Sequence, residues 1–165
     1  MKQKYIQAYM DVAERFGQLS SAQRLKVGAI VVKDDRIISI GYNGTPPGWD
    51  NDCEYRDYNF SQDINGKPFP HDSDTYPYVD ENNGFSFRLV TKPEVLHAEA
   101  NALAKLCKHN ESSMHSTLFV THQPCMECAK MIYTAGIKTV YFKHPYRLSA
   151  GLDFLKKTGI EINQI

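Results

Sequence analysis

The stretch "STLFVTHQPCMECAKMIYTAGIKTVYFK", Ser116 to Lys143, reads in turn as strand, helix and strand. "STLFVTHQP" is a short β-rich run that ends at a proline, which cannot donate to a sheet ladder. "CMECAKMIYTAG" is a helix closed by Gly136, and "IKTVYFK" is a second strand. Two strands joined through a helix pair in parallel with a right-handed crossover. The same stretch places Cys125 and Cys128 three residues apart, directly after Pro124.

Downstream, "LSAGLDFLKKTG" continues as a helix and "IEINQI" as a last short strand. Upstream, "EVLHAEANALAKLCKHN" is rich in the helix formers Ala, Leu, Glu and Lys. Near the N-terminus, Tyr5, Ile6, Tyr9, Val12, Ala13 and Phe16 recur at helical spacing, which predicts a helix over Gln3 to Phe16 ended by Gly17. "KVGAIVVKDDRIISIGYNG" then holds two β-rich runs, Val27 to Lys33 and Arg36 to Tyr42, joined by Asp34-Asp35 as a short hairpin. The expected class is α/β: a mixed five-stranded sheet with an antiparallel N-terminal hairpin and helices on both faces.

Between about residues 44 and 93 the periodicity is lost. The segment is rich in Pro, Gly, Asn and Asp but also in aromatics, among them Trp49, Tyr55, Tyr58, Phe60, Phe85 and Phe87. That aromatic content argues against disorder. We read a folded insertion that shapes a site or a subunit contact, inside a single domain spanning 1–165.

Composition narrows the partners. The 165 residues carry 19 basic and 19 acidic side chains, so the formal net charge is zero. Proteins that grip long nucleic acid by its backbone usually show a basic excess, so a small substrate is expected. No apolar run is long enough to span a bilayer. The N-terminal run reads as an amphipathic helix rather than a signal peptide, which leads to an expectation of a cytoplasmic protein (host cytoplasm if viral) with reduced cysteines. Metal binding or catalysis then explains Cys125 and Cys128 better than a disulfide.

Three residues make a ligand set. Cys125 and Cys128 share one helix face in a first turn, where unpaired N–H groups and the helix dipole favour thiolates. His97 starts another predicted helix in "HAEANAL", His97 to Leu103. Two thiolates and an imidazole suit tetrahedral zinc and leave a fourth position for a catalytic water. Glu99 follows His97 by two residues, which on a regular helix turns it about 200° away. In a first turn it can instead lean toward the site and move protons for the water. Attack by such a water on an amidine-like carbon is hydrolytic deamination.

His97-Ala98-Glu99 with Pro124-Cys125-Met126-Glu127-Cys128 matches the H-x-E and P-C-x-x-C signature of zinc deaminases. The chain resembles the cytidine and deoxycytidylate deaminase superfamily, and within it the deoxycytidylate (dCMP) deaminase branch. The narrower resemblance rests on "KVGAIVVKDDRIISIGYNGTPPG", "HAEANAL" and "LFVTHQPCMECAKMIYTAGIKTVYF", which together span most of Lys26 to Phe142. It implies a three-layer α/β/α cytidine-deaminase-like fold and a zinc-dependent hydrolase that converts dCMP to dUMP and ammonia, feeding thymidylate synthesis. It implies Glu99 as proton shuttle, Asn43 on the sugar hydroxyl, the Ala98 backbone on the base carbonyl and the backbone around Thr121 at the amine end. Asn43 is also a natural turn residue before Gly44.

Donors for a 5′-phosphate are sought in Arg24 and Lys26 before the first strand and in Tyr146 and Arg147 after the fourth; Arg24 and Tyr146 are preferred. Some relatives carry a second zinc. Here Cys53 matches one of its cysteines, Ser20 and Ser21 stand near the other, and His71 is the sole histidine of the insertion, so one catalytic zinc is expected. Cys53 and Cys107 are expected in the core, and His122 as a satisfied structural histidine. The resemblance further admits dCTP and dTTP as effectors, Mg2+ accompanying a nucleotide effector, and a homo-oligomer such as a hexamer. Two alternatives stay open: a deaminase of another base, nucleoside or nucleic-acid cytosine, and a non-catalytic binding module stabilised by zinc with a fourth ligand such as Cys53 or His122.

Overall fold

Asp34 and Asp35 both adopt left-handed backbone, with φ of 49° and 58°. Aspartate tolerates that region, and two such residues make the turn that matches strand twist. The computed structural model, which describes residues 1–69, 74–146 and 149–165, places this turn between β1 (Gly28–Lys33) and β2 (Arg36–Tyr42). The other elements are α1 (Gln3–Gly17), β3 (Glu54–Asn59), β4 (Tyr78–Val79), β5 (Ser86–Thr91), α2 (Ala98–Leu106), β6 (Thr117–His122), α3 (Met126–Thr134), β7 (Thr139–His144), α4 (Ala150–Lys157) and β8 (Glu161–Gln164).

The main sheet has the order β2-β1-β6-β7-β8. β6, β7 and β8 run parallel, while β1 is antiparallel to both β2 and β6. Alternation along the strands sorts side chains to two faces. Ile30, Val32, Phe119 and Tyr141 pack under α1 with Ile6, Met10 and Ala13. Ala29, Val31, Leu118, Val120, Val140 and Phe142 pack under α2, α3 and α4. This is the expected α/β/α arrangement. In α1 the apolar stripe is rotated from the expectation: Tyr5 is exposed and Met10 is fully buried.

α2 is stitched to β2 by polar bonds as well as by packing. Ser39 Oγ donates to the Ala102 carbonyl at 2.6 Å, and Asn101 Nδ2 and Lys105 Nζ donate to the carbonyls of Tyr42 and Ile40, each at 3.0 Å. Gly41 sits at the contact, where a Cβ would collide with the Ala98 carbonyl. Gly151 does the same for α4, where a Cβ would meet the Pro124 carbonyl. These close approaches fix the start of α2 against β2 and the start of α3 against α4.

One sequence expectation is corrected. α2 begins at Ala98 and not at Glu94; Leu96 is instead extended and exchanges backbone hydrogen bonds with Gly44 at 2.9 and 3.2 Å. The segment 44–93 holds a second, three-stranded sheet of order β3-β5-β4. Tyr58, Phe60, Tyr78, Phe85 and Phe87 form successive ring contacts on it at 5.3 to 5.5 Å, and the Arg56 guanidinium lies 4.7 Å from the Phe87 ring. Among the described residues, no helix is long and apolar enough to cross a membrane.

Candidate active site

His97 and Cys125 occupy equivalent positions. Each is the residue before a helix, α2 or α3, with extended backbone. Cys128 follows in the first turn of α3 and is buried. Both helices therefore direct their electropositive ends at one spot. The Nδ1 of His97 lies 3.5 Å from Cys125 Sγ and 3.4 Å from Cys128 Sγ. Donors about 2.1 and 2.3 Å from a tetrahedral zinc would stand roughly 3.5 Å apart, so this set fits the ion. Among the described residues, the group contains these three donors alone, all within 4.8 Å of one another. Neither Cys53 nor His122 joins it.

The electrostatics lead to the same conclusion. Hydrogen bonds with Cys128 and His97 draw the Cys125 thiol down to about 3. The neighbouring Cys125 and burial push Cys128 up, and the bond to Cys125 raises His97. Two adjacent sulfurs cannot both ionise cheaply without a cation between them. A divalent ion would relieve that conflict.

Glu99 is 4% exposed and lines the cleft beside His97 and Cys125. The helical phase starts only at Ala98, so the 200° separation expected from His97 does not apply. Burial, its largest influence, raises the Glu99 carboxyl to about 7. A carboxyl poised there can both take and give a proton near neutrality.

The cleft has a volume of about 640 Å3. Its walls include Arg24, Asn43, Ala98, His122, Gln123 and Tyr146. The Asn43 side chain clasps the loop before β1: Oδ1 accepts the Val27 N–H and Nδ2 donates to the Leu25 carbonyl, both at 2.8 Å. Each amide atom keeps one further hydrogen-bonding valence for a ligand. Thr121 is buried behind the wall, and its Oγ1 meets the Gly28 N–H at 3.1 Å and His122 Nδ1 at 3.0 Å. The Tyr146 N–H donates to Gln123 Oε1 at 3.2 Å. Arg24 and Tyr146 thus lie on one cleft, while Lys26 is exposed outside its lining. Arg147 and His71 lie outside the described residues.

Sequence reasoning missed several wall residues. Thr91 comes from the end of the insertion and Val95 lies just beyond it, and His144 pairs in register with His122 with ring centroids 4.8 Å apart. The parallel β6–β7 pairing could have suggested the histidine pair; nothing in the sequence marked the insertion residues. Cys53 is buried as expected, with its Sγ 3.3 Å from Ser21 Oγ. Cys107 is exposed rather than in the core, because it caps the C-terminus of α2.

A mixed α/β sheet that carries a His/Cys/Cys donor set and a buried carboxyl at two helix starts defines a hydrolase of the deaminase class. Residues 3–144 match the family described as the cytidine and deoxycytidylate deaminase zinc-binding region, and the chain belongs to that family. It is 31% identical to the deoxycytidylate deaminase of enterobacteria phage T4 over 93% of this chain and 86% of the relative. It is 34% identical to that of mycobacterium phage D29, over 81% of this chain and 90% of the relative. A crystal structure of dCMP deaminase from cyanophage S-TIM5 in complex with dCMP and dUMP is 40% identical, with a TM-score of 0.76, covering 100% of this chain and 99% of that one.

Proposed function

We propose that the protein is a zinc-dependent dCMP deaminase, yielding dUMP and ammonia. The observation that carries the reading is the buried Glu99 beside the His97, Cys125 and Cys128 donors in a cleft that Arg24 and Tyr146 also line. Similarity over the full chain to an enzyme seen with dCMP and dUMP supports the substrate.

His97, Cys125 and Cys128 would hold the zinc, which as a Lewis acid makes the attacking water acidic near neutral pH. Glu99 takes the proton that the water gives up as its oxygen bonds to C4 of the cytosine. Glu99 passes that proton to the ring nitrogen N3. It then takes the proton of the new C4 hydroxyl and gives it to the exocyclic nitrogen, the C4–N bond breaks and ammonia leaves, giving the uracil carbonyl. The Ala98 backbone would hold the base carbonyl and the backbone around Thr121 the amine end. Asn43 would meet the sugar with its remaining valences, and Arg24 and Tyr146 would receive the phosphate.

The product would feed thymidylate synthesis, and a cytoplasmic location would suit that role. Nucleotide effectors and assembly into a homo-oligomer would be compatible with the deaminase family. The test is ammonia release from dCMP, deoxycytidine and a single-stranded oligonucleotide at fixed zinc. Preference for dCMP is expected; equal or greater turnover of either alternative would overturn the assignment.

A further inference from the structure

The loop that carries Arg24 is held from two sides. On the sheet side Asn43 clasps Leu25 and Val27. On the other side stands the insertion. Glu54, the first residue of β3, is 4% exposed although it lies in a segment rich in surface residues. Its Oε2 accepts the Gln23 N–H and its Oε1 the Arg24 N–H, each at 3.2 Å. Thr91, paired directly with Glu54 across the β3–β5 ladder, has its Oγ1 3.2 Å from Arg24 Nη1 and accepts from it. One rung of the insertion sheet therefore fixes both the backbone and the guanidinium of Arg24.

Glu54 acts on the backbone of this loop and not from the described lining of the cleft. The Arg24 backbone is ordered before any ligand arrives, so ordering it costs little on binding. Among the described residues, the bond to Thr91 engages one guanidinium donor, which leaves the rest of the fork for an anion.

We propose that Glu54 is a positioning residue for anion recognition: through Arg24, with Thr91 as second support, it sets the preference for a nucleotide over its nucleoside. The insertion is thereby a working part of the substrate site. This rests on the reading of Arg24 as a phosphate partner, and the test separates the two.

Zinc-loaded full-length enzyme is assayed with dCMP and deoxycytidine as wild type, Glu54→Gln, Arg24→Gln, the double variant and Thr91→Val. Glutamine keeps the size of Glu54 but turns one acceptor into a donor facing an N–H. Glu54→Gln is expected to lower the ratio of kcat/KM for dCMP over deoxycytidine by about tenfold, chiefly through KM, with zinc content retained. In the Arg24→Gln background it should cause no further fall in that ratio, because the two act as one unit. An equal loss on both substrates, or additive effects in the double variant, overturns the role of Glu54. An unchanged ratio in Arg24→Gln overturns the phosphate reading and this inference with it. A fall with Arg24→Gln but none with Glu54→Gln overturns this inference alone. If Glu54→Gln does not fold, Thr91→Val decides: a lowered ratio supports the proposal and an unchanged one overturns it.

Discussion

The Nδ1 of His97 lies 3.4 Å from the Sγ of Cys128, although 31 residues separate them. A bound ion would therefore tie α2 to α3, and its removal should loosen both. A strong chelator is expected to end turnover and lower the melting temperature. Free zinc at a thousandfold excess over its Kd should return about 4 kcal/mol. Calorimetry with metal analysis checks this; an identical melt before and after chelation would contradict the tie.

Glu99→Gln should keep the metal and lose turnover by about 10²- to 10⁴-fold, the usual range for a positioned proton carrier. Metal content and steady-state kinetics on the same preparation test it. Near-wild-type kcat would remove Glu99 from the reaction.

The raised Glu99 value also has a sign for stability. Folding favours its protonated form, so its contribution is full below the ordinary 4.5 and is lost as pH rises through about 7. After chelation, the denaturation midpoint of Glu99→Gln should fall less across that window than that of wild type. Parallel curves would count against the burial argument.

Asp80 behaves in the opposite way. Its carboxylate accepts the Tyr58 hydroxyl at 2.6 Å and the Asn82 N–H at 3.0 Å, and these bonds, the Tyr58 one foremost, hold it below the ordinary 3.8. Its contribution is present above 3.8 and is lost as pH falls through the depressed value. Tyr58→Phe should soften the acid limb of unfolding, read by fluorescence between pH 2 and 6 (roughly the carboxylate range).

Gly41→Ala drives a methyl into the Ala98 carbonyl. Overpacking of this kind costs about 1–3 kcal/mol, and here it would also displace the start of α2. Loss of both stability and kcat is expected, measured by urea denaturation and turnover; a neutral variant would show that α2 can yield.

The donor set and the main sheet were legible because their signals are local. Cys125 and Cys128 are spaced by helix geometry, and the strands between Val27 and Tyr42 and between Thr117 and His144 are rich in apolar and β-branched residues. The insertion sheet was hidden because "EYRDYN" exposes or half-exposes five of its six residues, which erases the alternation a buried face would impose. The start of α2 was misplaced because Glu94 and Leu96 fit a helix by propensity, while the bridge to Gly44, more than fifty positions away, is invisible along the chain. Cys107 was misjudged because hydrophobic type says nothing about where a helix stops.

The Gly151 contact bears on what this scaffold can tolerate over time. α3 is wedged from behind, so a slip of one residue, about 1.5 Å along its axis, would carry both sulfurs out of reach of the imidazole. The reagent end of the cleft is thus frozen, whereas another part of its rim is borrowed from the three-stranded insertion sheet through Thr91. Drift in that rim can retune which molecules enter while leaving the bond-breaking apparatus as it was.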